Sequence, residues 1–400
     1  MIPVEFLIFG VTLLGVAVFH RHTLLIALLG LAAVIGYKVL CGDFHGQPGF
    51  IGLQWHLLEE WVIVTNLFAL LVGFALLSRH FEQSGVPHLL PRILPDDWKG
   101  GVVLLALIFV LSAFLDNIAA ALIGATVAGA VYNHKVHIGF LAAIVAAANA
   151  GGSGSVIGDT TTTMMWLDGV APRDVLHAYV AAVAAFIVFA IPAARQQQRF
   201  SPIEKQAPVD IHADWSRMIV VALVLSGAIA ANVYANRLPD GQGEMFPYIG
   251  AIVIGIILLL TPWRRPDWRV VPGAAKGSVF LPSLVLLASM MRVDELPAAS
   301  PQTTFGLGFV SAVFDNIPLT KLALEQGGYD WGALAYAVGF GGSMIWFGSS
   351  AGVAISNLFP EAKSVGEWLR QGWHVAVGYV VGFLVLMTVL GWHPHPSHRV

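Results

Sequence analysis

Residues 149–166 read Asn-Ala-Gly-Gly-Ser-Gly-Ser-Val-Ile-Gly-Asp-Thr-Thr-Thr-Thr-Met-Met-Trp and follow the apolar run 138–148. No continuous membrane helix accommodates this stretch. Gly151, Gly152, Gly154 and Gly158 fall within eight positions, and each costs about 1 kcal/mol of helicity relative to Ala. A carboxylate such as Asp159 costs at least about 2.5 kcal/mol at bilayer depth unless it faces protein, water or an ion. The stretch therefore predicts a helix broken near mid-membrane. Its freed carbonyls and hydroxyls should line a polar cavity, the setting in which non-helical backbone is tolerated there.

Composition supports the membrane setting. Hydrophobic residues make up 57% of the 400 and charged residues 11%, with a mean hydropathy of +0.75. A soluble domain carries about 25% charged residues. The apolar run up to Phe19 lacks a basic start and a small-residue cleavage site, so it is expected to remain as a helix. Cys41 is the single cysteine, which leaves no intrachain disulfide and no cysteine-based metal site. No basic cluster or nucleic-acid motif stands out, so lipid, not nucleic acid, is the expected surrounding.

Apolar spans fall at roughly 2–19, 23–41, 57–78, 100–132, 138–167, 174–194, 216–236, 246–262, 277–291, 303–325, 332–358 and 372–391. One crossing needs about 20 residues. The span 100–132 is too long for one helix and holds Asp116-Asn117 at its centre, which predicts a re-entrant hairpin of two half-helices. Spans 138–167 and 332–358 are long and glycine-interrupted, and predict broken crossing helices. With 100–132 and 303–325 both re-entrant, loops 20–22, 79–99, 133–137, 195–217, 263–276 and 359–371 share one side and carry 15 of the 21 Lys and Arg. That side is cytoplasmic by the positive-inside rule. A single crossing by 100–132 would split the basic loops between two sides.

Ser112-Ala-Phe-Leu-Asp116-Asn117-Ile118 recurs as Ser311-Ala-Val-Phe-Asp315-Asn316-Ile317, each copy followed by a Gly/Ser-broken span. In this topology the first hairpin enters from the cytoplasm and the second from outside, the layout of many secondary transporters. The predicted fold class is an all-α polytopic membrane protein, with inverted repeats, two re-entrant hairpins and two broken transmembrane helices. The expected division is 1–56 as N-terminal scaffold helices, 57–194 as first repeat and 195–215 as cytoplasmic linker. Residues 216–262 follow as connecting scaffold helices, 263–392 as second repeat and 393–400 as tail.

The hairpin tips supply Asp116, Asn117, Asp315 and Asn316, and the broken helices Asn149, Ser153, Ser155, Asp159, Thr160, Thr161, Ser343, Ser349 and Ser350. These are oxygen donors of the kind that hard cations take, so Asp116, Asn117, Asp159, Asp315 and Asn316 are the expected Na+ ligands. A buried carboxylate also exchanges protons, since desolvation favours its neutral form and a bound cation its charged form. One carboxylate then holds Na+ or H+ but not both. Intramembrane carboxylates are functional by default. An Asp-Asn pair at a helix end is also an ordinary cap, and the threonines are also able to back-bond to helix carbonyls. Lys321 and Glu325 sit at i, i+4 and predict a local ion pair near the interface. Glu59 and Glu60 are expected to be interfacial, and His393, His395 and His398 to lie on an exposed tail. No cofactor is expected beyond the transported ions.

At these residues the chain resembles the NhaD-type sodium/proton antiporters of the ion transporter superfamily. The matching pieces are Leu115-Asp116-Asn117-Ile118, Asn149-Ala150-Gly151-Gly152 with Val156 to Trp166, Phe314-Asp315-Asn316-Ile317-Pro318-Leu319, and Gly341-Gly342-Ser343 with Gly348 to Val353. The likeness runs from about Glu59 to Trp392. It implies exchange of Na+ or Li+ for H+ in a bacterial inner membrane, through a scaffold and a moving transport domain, in a homodimer. The chain departs from the usual pattern at Asn117-Ile118-Ala119-Ala120 and at Lys321 with Glu325. The superfamily also holds citrate, dicarboxylate and arsenite carriers. An organic-anion carrier needs fixed positive charge, for which Lys321 is the intramembrane candidate. An intramembrane protease is the remaining alternative, with Ser153 and His177 or His374, or with Asp159 and Asp330. Neither protease reading explains the repeat, and no enzymatic activity is expected.

Overall fold

The computed structural model describes residues 3–19, 22–44, 46–86, 94–203, 213–235, 238, 245–292, 296–314 and 316–395. These residues are almost wholly helical. Asp315, His398 and residues 204–212 of the expected linker lie outside them.

Helices α1 (Val4–Val18), α2 (Thr23–Cys41) and α3 (Gly49–Gln83) come first. Between α2 and α3, Asp43–Phe44 and Gln47–Pro48 pair as a two-stranded antiparallel turn. With α10 (Trp215–Ala235), α11 (Tyr248–Leu260) and α12 (Val271–Ser289) they form one packed group, in which α3 touches α2, α10, α11 and α12. Leu7, Val11 and Leu14 on α1, Leu28 and Leu29 on α2, and Leu258 and Leu259 on α11 are exposed. Such an apolar exterior suits hydrocarbon surroundings. Helix α3 starts at Gly49 and so crosses the expected boundary at residue 56, because Phe50, Ile51 and Leu53 continue the apolar run.

The second group contains two series of helices in the same order. The first is α4 (Trp98–Ser112), α5 (Asn117–Val131), α6 (Ile138–Ser153), α7 (Thr160–Leu167), α8 (Pro172–Leu176) and α9 (Ala178–Phe200). The second is α13 (Pro301–Ser311), α14 (Asn316–Gln326), α15 (Trp331–Gly341), α16 (Ser350–Leu358), α17 (Val365–Gln371) and α18 (Trp373–Val389). Helix α9 continues to Phe200, into the expected linker, because Gln197 bonds there to the backbone of Lys135, His137 and Ser201.

Each pair around a tip folds back on itself. A Cβ on Gly101, at the start of α4, would lie 3.2 Å from the Tyr132 hydroxyl just past α5, beside Ala194. Likewise Gln326 Nε2, at the end of α14, donates to Pro297 O before α13, at 2.8 Å. The broken helices run in opposite senses along α9. Gly139 at the start of α6 lies against Gln196 near one end of α9, and Gly332 at the start of α15 lies against His177 at the other.

Helices α6 and α15 cross at the centre, and every residue from Gly139 to Ser153 and from Trp331 to Gly341 is buried. Alanine and glycine dominate α6, and small side chains let helices approach closely in a membrane. Helix α5 packs on α16 and α14 on α7, so the two series interlock crosswise. Gly151 has no room for a Cβ against Phe109 O, and Gly341 none against Gly308 O. A backbone-on-backbone approach at these breaks requires glycine.

Candidate functional site

Helix α6 ends at Ser153, the chain is non-helical through 154–159, and α7 starts at Thr160. The break carbonyls are accounted for locally. Ser153 Oγ donates to Ala150 O at 2.8 Å, Tyr179 Oη to Gly151 O at 3.0 Å, and Ser155 N to Gly152 O at 2.9 Å. Ser155 Oγ donates to Ala113 O at 2.6 Å, which pins this break to the α4–α5 tip. In the second series Trp368 Nε1 donates to Ser343 O at 3.2 Å.

Asp159 stands at the N-cap position of α7, yet its side chain makes no cap bond. Such a bond contributes about 1 kcal/mol. Its aligned position in the second series, counting from the Gly-Gly-Ser pieces, is Ser349, and Ser349 does cap, accepting from Gly352 N at 3.3 Å. The Asp159 carboxylate turns instead into the protein. Asn117 Nδ2 donates to Asp159 Oδ1 at 2.9 Å and to Asn149 Oδ1 at 3.1 Å. Asn149 Nδ2 donates onward to Ser343 Oγ at 2.9 Å. One buried polar chain thus joins the first tip, both broken helices and both series, and Asp159 brings a carboxylate to it. Thr161 Oγ1, in the first turn of α7, is buried and has no hydrogen-bond partner among the described residues.

The remaining expected residues fall as follows. Asp116 caps α5, its Oδ2 accepting from Ile118 N at 3.2 Å. Asn316 is buried at the start of α14, and Thr320 Oγ1 donates to its carbonyl at 2.9 Å. Ser350 and Thr160 open α16 and α7 and are half-buried. Thr162 and Thr163 both back-bond to Asp159 O at 2.9 Å. Ser153 bonds only to backbone among its described partners, while His374 pairs with Gln196, so no serine–histidine pair forms. Asp330 caps α15 through Ala333 N at 2.9 Å. Two residues were not singled out from the sequence. Ser112 is buried with its Oγ unpartnered among the described residues and its carbonyl against Gly158; it opens the repeated motif, which was the available signal. Gly339 faces Asp159 and carries no signal of its own.

The remaining charged residues and the tail are placed as follows. Lys321 and Glu325 pair at 2.7 Å, as expected, and Lys321 is fully buried within the protein. Glu60 is buried too and meets Lys321 at 3.0 Å, whereas Glu59 is exposed. Helix α14 packs in the interior, so a cation on it needs nearby carboxylates. In the described part of the tail His393 is exposed, as expected, and His395 is half-buried; the backbone docks, with His395 N donating to Tyr329 O, Gly328 N to His395 O and His393 N to Asp330 Oδ2. Among the described residues no group of three His, Cys, Asp or Glu side chains is set to hold a metal.

Broken helices that gather a carboxylate, amides and hydroxyls inside an apolar bundle define a multi-pass membrane transporter. The chain belongs to the citrate transporter family, whose model matches residues 6–341, and it is a secondary transporter, not an enzyme. It is 27% identical over 320 residues to sodium/proton antiporter 1 of Arabidopsis thaliana, covering 71% of this chain but 54% of that protein. It is 25% identical to the Na(+)/H(+) antiporter NhaD of Vibrio cholerae serotype O1, covering 70% and 68%. It is 24% identical over 392 residues to an uncharacterised transporter of Mycobacterium tuberculosis, covering 87% and 89%. The chain thus spans about half the length of the Arabidopsis relative.

Proposed function

We propose that the chain exchanges Na+ or Li+ for H+ across the bacterial inner membrane. The observation that carries this is Asp159: a buried carboxylate that forgoes its cap and joins Asn117, Asn149 and Ser343. Amide oxygens, hydroxyls and one carboxylate make an oxygen donor set for a small monovalent cation. Protonation of the same carboxylate releases the ion, which couples the two fluxes. An organic anion is less well served, because Lys321 is already engaged by Glu60 and Glu325. The relatives named as sodium/proton antiporters support the cation reading.

In this proposal α4–α9 and α13–α18 move as the transport unit against α1–α3 and α10–α12, which form the scaffold and the homodimer contact. The folded-back tips at Asn117 and Asn316 are re-entrant, and the opposite senses of α6 and α15 along α9 support inverted repeats. The test is fluorescence dequenching in inverted membrane vesicles with NaCl, LiCl, KCl or citrate added in turn. Dequenching by NaCl or LiCl is expected. A response to citrate alone would overturn the reading in favour of an organic-anion carrier.

A further inference from the structure

Helix α14 lies where the two groups of helices meet. Its Leu322 joins the apolar cluster of Leu284, Leu287 and Ala288 on α12, and its Lys321 faces α3. Lys321 Nζ donates to Glu60 Oε1 at 3.2 Å and to Glu60 Oε2 at 3.0 Å, and it meets Glu325 Oε1 at 2.7 Å. The two carboxylates stand differently. Glu325 is on the same helix as Lys321, at i, i+4, whereas Glu60 belongs to the other group. Apolar contact is non-directional and tolerates a slip of one helix past another. An ion pair does not, because one helical turn is about 5.4 Å, enough to carry Nζ out of reach of Glu60. Helix α3 offers no second notch on this face: in its buried stripe of Gly52, His56, Glu60, Ile63 and Leu67, Glu60 is the one carboxylate.

We propose that Glu60 and Lys321 form a latch that fixes one register of the transport unit on α3, and that Glu325 is the counter-charge that travels with Lys321 when the latch opens. The inference rests on the proposed movement of α4–α9 and α13–α18 against α1–α3 and α10–α12, and adds the contact that holds one end position. A buried charge that loses its partner is costly. Lys321 avoids that cost on leaving Glu60, because Glu325 rides on the same helical turn. Glu60 and Lys321 are thus positioning residues that act without touching the transported ion.

The experiment reads position directly. In a Cys41→Ser background, spin labels at Leu58→Cys on α3 and Val310→Cys on α13, both exposed, report the distance between the two groups in lipid vesicles, with and without NaCl. Two distances are expected, one for each position of the unit. Glu60→Gln keeps an oxygen but removes the charge across the boundary, and Lys321 still has Glu325. It should depopulate the latched distance on the order of tenfold, within the range of coupling that biases two-state proteins. Glu325→Gln should do the reverse, raising the latched population and lowering the maximal exchange rate, because Lys321 would leave Glu60 without a counter-charge. If Glu60→Gln fails to insert, Glu60→Asp keeps the charge on a shorter arm, and a smaller shift of the same sign is expected. Two distances whose populations ignore all these variants would overturn the latch and leave the trio as packing alone. A single distance under every condition in a wild type that still exchanges ions would refute the moving unit, and the latch with it.

Discussion

Lys321 Nζ lies 3.0 Å from Glu60 Oε2, and this ion pair ties α14 to α3, joining the central helices to the outer group. Glu325 Oε1, one turn along α14, meets the same ammonium at 2.7 Å. The side chains of Lys321 and Glu60 are 0% and 2% exposed. The buried ammonium is tolerated in such a place because two carboxylates surround it. Removing one partner strands the rest and costs about 3–5 kcal/mol, while replacing the pair together costs far less. Lys321→Met is therefore expected to lower the Tm of the detergent-solubilised protein sharply. Adding Glu60→Gln should recover much of that loss, and additive losses in the double variant would show that the pair is not coupled.

Asp116 gives a cleaner separation of roles than its aspartate chemistry suggests. Asn caps a helix about as well as Asp, whereas Ala loses about 1 kcal/mol. Asp116→Asn should keep α5 capped and the protein inserted. Lost exchange in Asp116→Asn at normal expression assigns a function to the charge; retained exchange leaves Asp116 as the cap of α5 alone.

Coupling through Asp159 makes apparent Na+ affinity depend on pH. For one competing proton the apparent Km should fall about tenfold per pH unit on the acidic limb, each unit being worth about 1.4 kcal/mol. Asp159→Asn keeps an oxygen but cannot titrate, so it should flatten that slope. A Km unchanged between about pH 6 and pH 9 in the wild type would contradict a shared site.

Asp214, ahead of α10, receives a bond from the Ser216 hydroxyl and pairs with Arg264 at 3.3 Å and Arg217 at 3.6 Å. The Ser216 bond first, and the Arg264 charge after it, hold this carboxyl below its ordinary value of 3.8. A depressed value in the folded state means the clamp is fully formed above that ordinary value and is lost as pH falls through the lower, folded one. The Tm difference between wild type and Asp214→Asn should thus be constant at neutral pH and shrink only below pH 3.8. A difference that disappears already near neutrality would remove Asp214 from the clamp.

Cys41→Ser provides a cysteine-free background. Single cysteines at Lys99 and Lys135, which flank α4 and α5, should both be labelled from the cytoplasm. Labelling from opposite sides would show that 100–132 crosses the membrane once.

Membrane residence, the break after Ser153 and the interruptions before Asn117 and Asn316 were legible from the sequence. Each depends on neighbouring residues: the length of an apolar run, or the helical cost of clustered glycines. The oxygen-bearing residue types were legible for the same reason. Which of them meet was not. Asn117 reaches Asp159 across 42 positions, Asn149 reaches Ser343 across 194, and Lys321 reaches Glu60 across 261. Hydropathy made Glu60 look interfacial because a span edge and a buried ion pair read alike in one dimension. That Asp159 turns inward while Ser349 caps depends on what stands opposite each, an amide from another helix or the first turn of its own. The sequence by itself determined where the central helices are interrupted and which chemistry they carry. Only the tertiary structure decided the partners, because the crossing of α6 and α15 and the packing of α14 against α3 select, among many polar side chains, those that come within bonding distance.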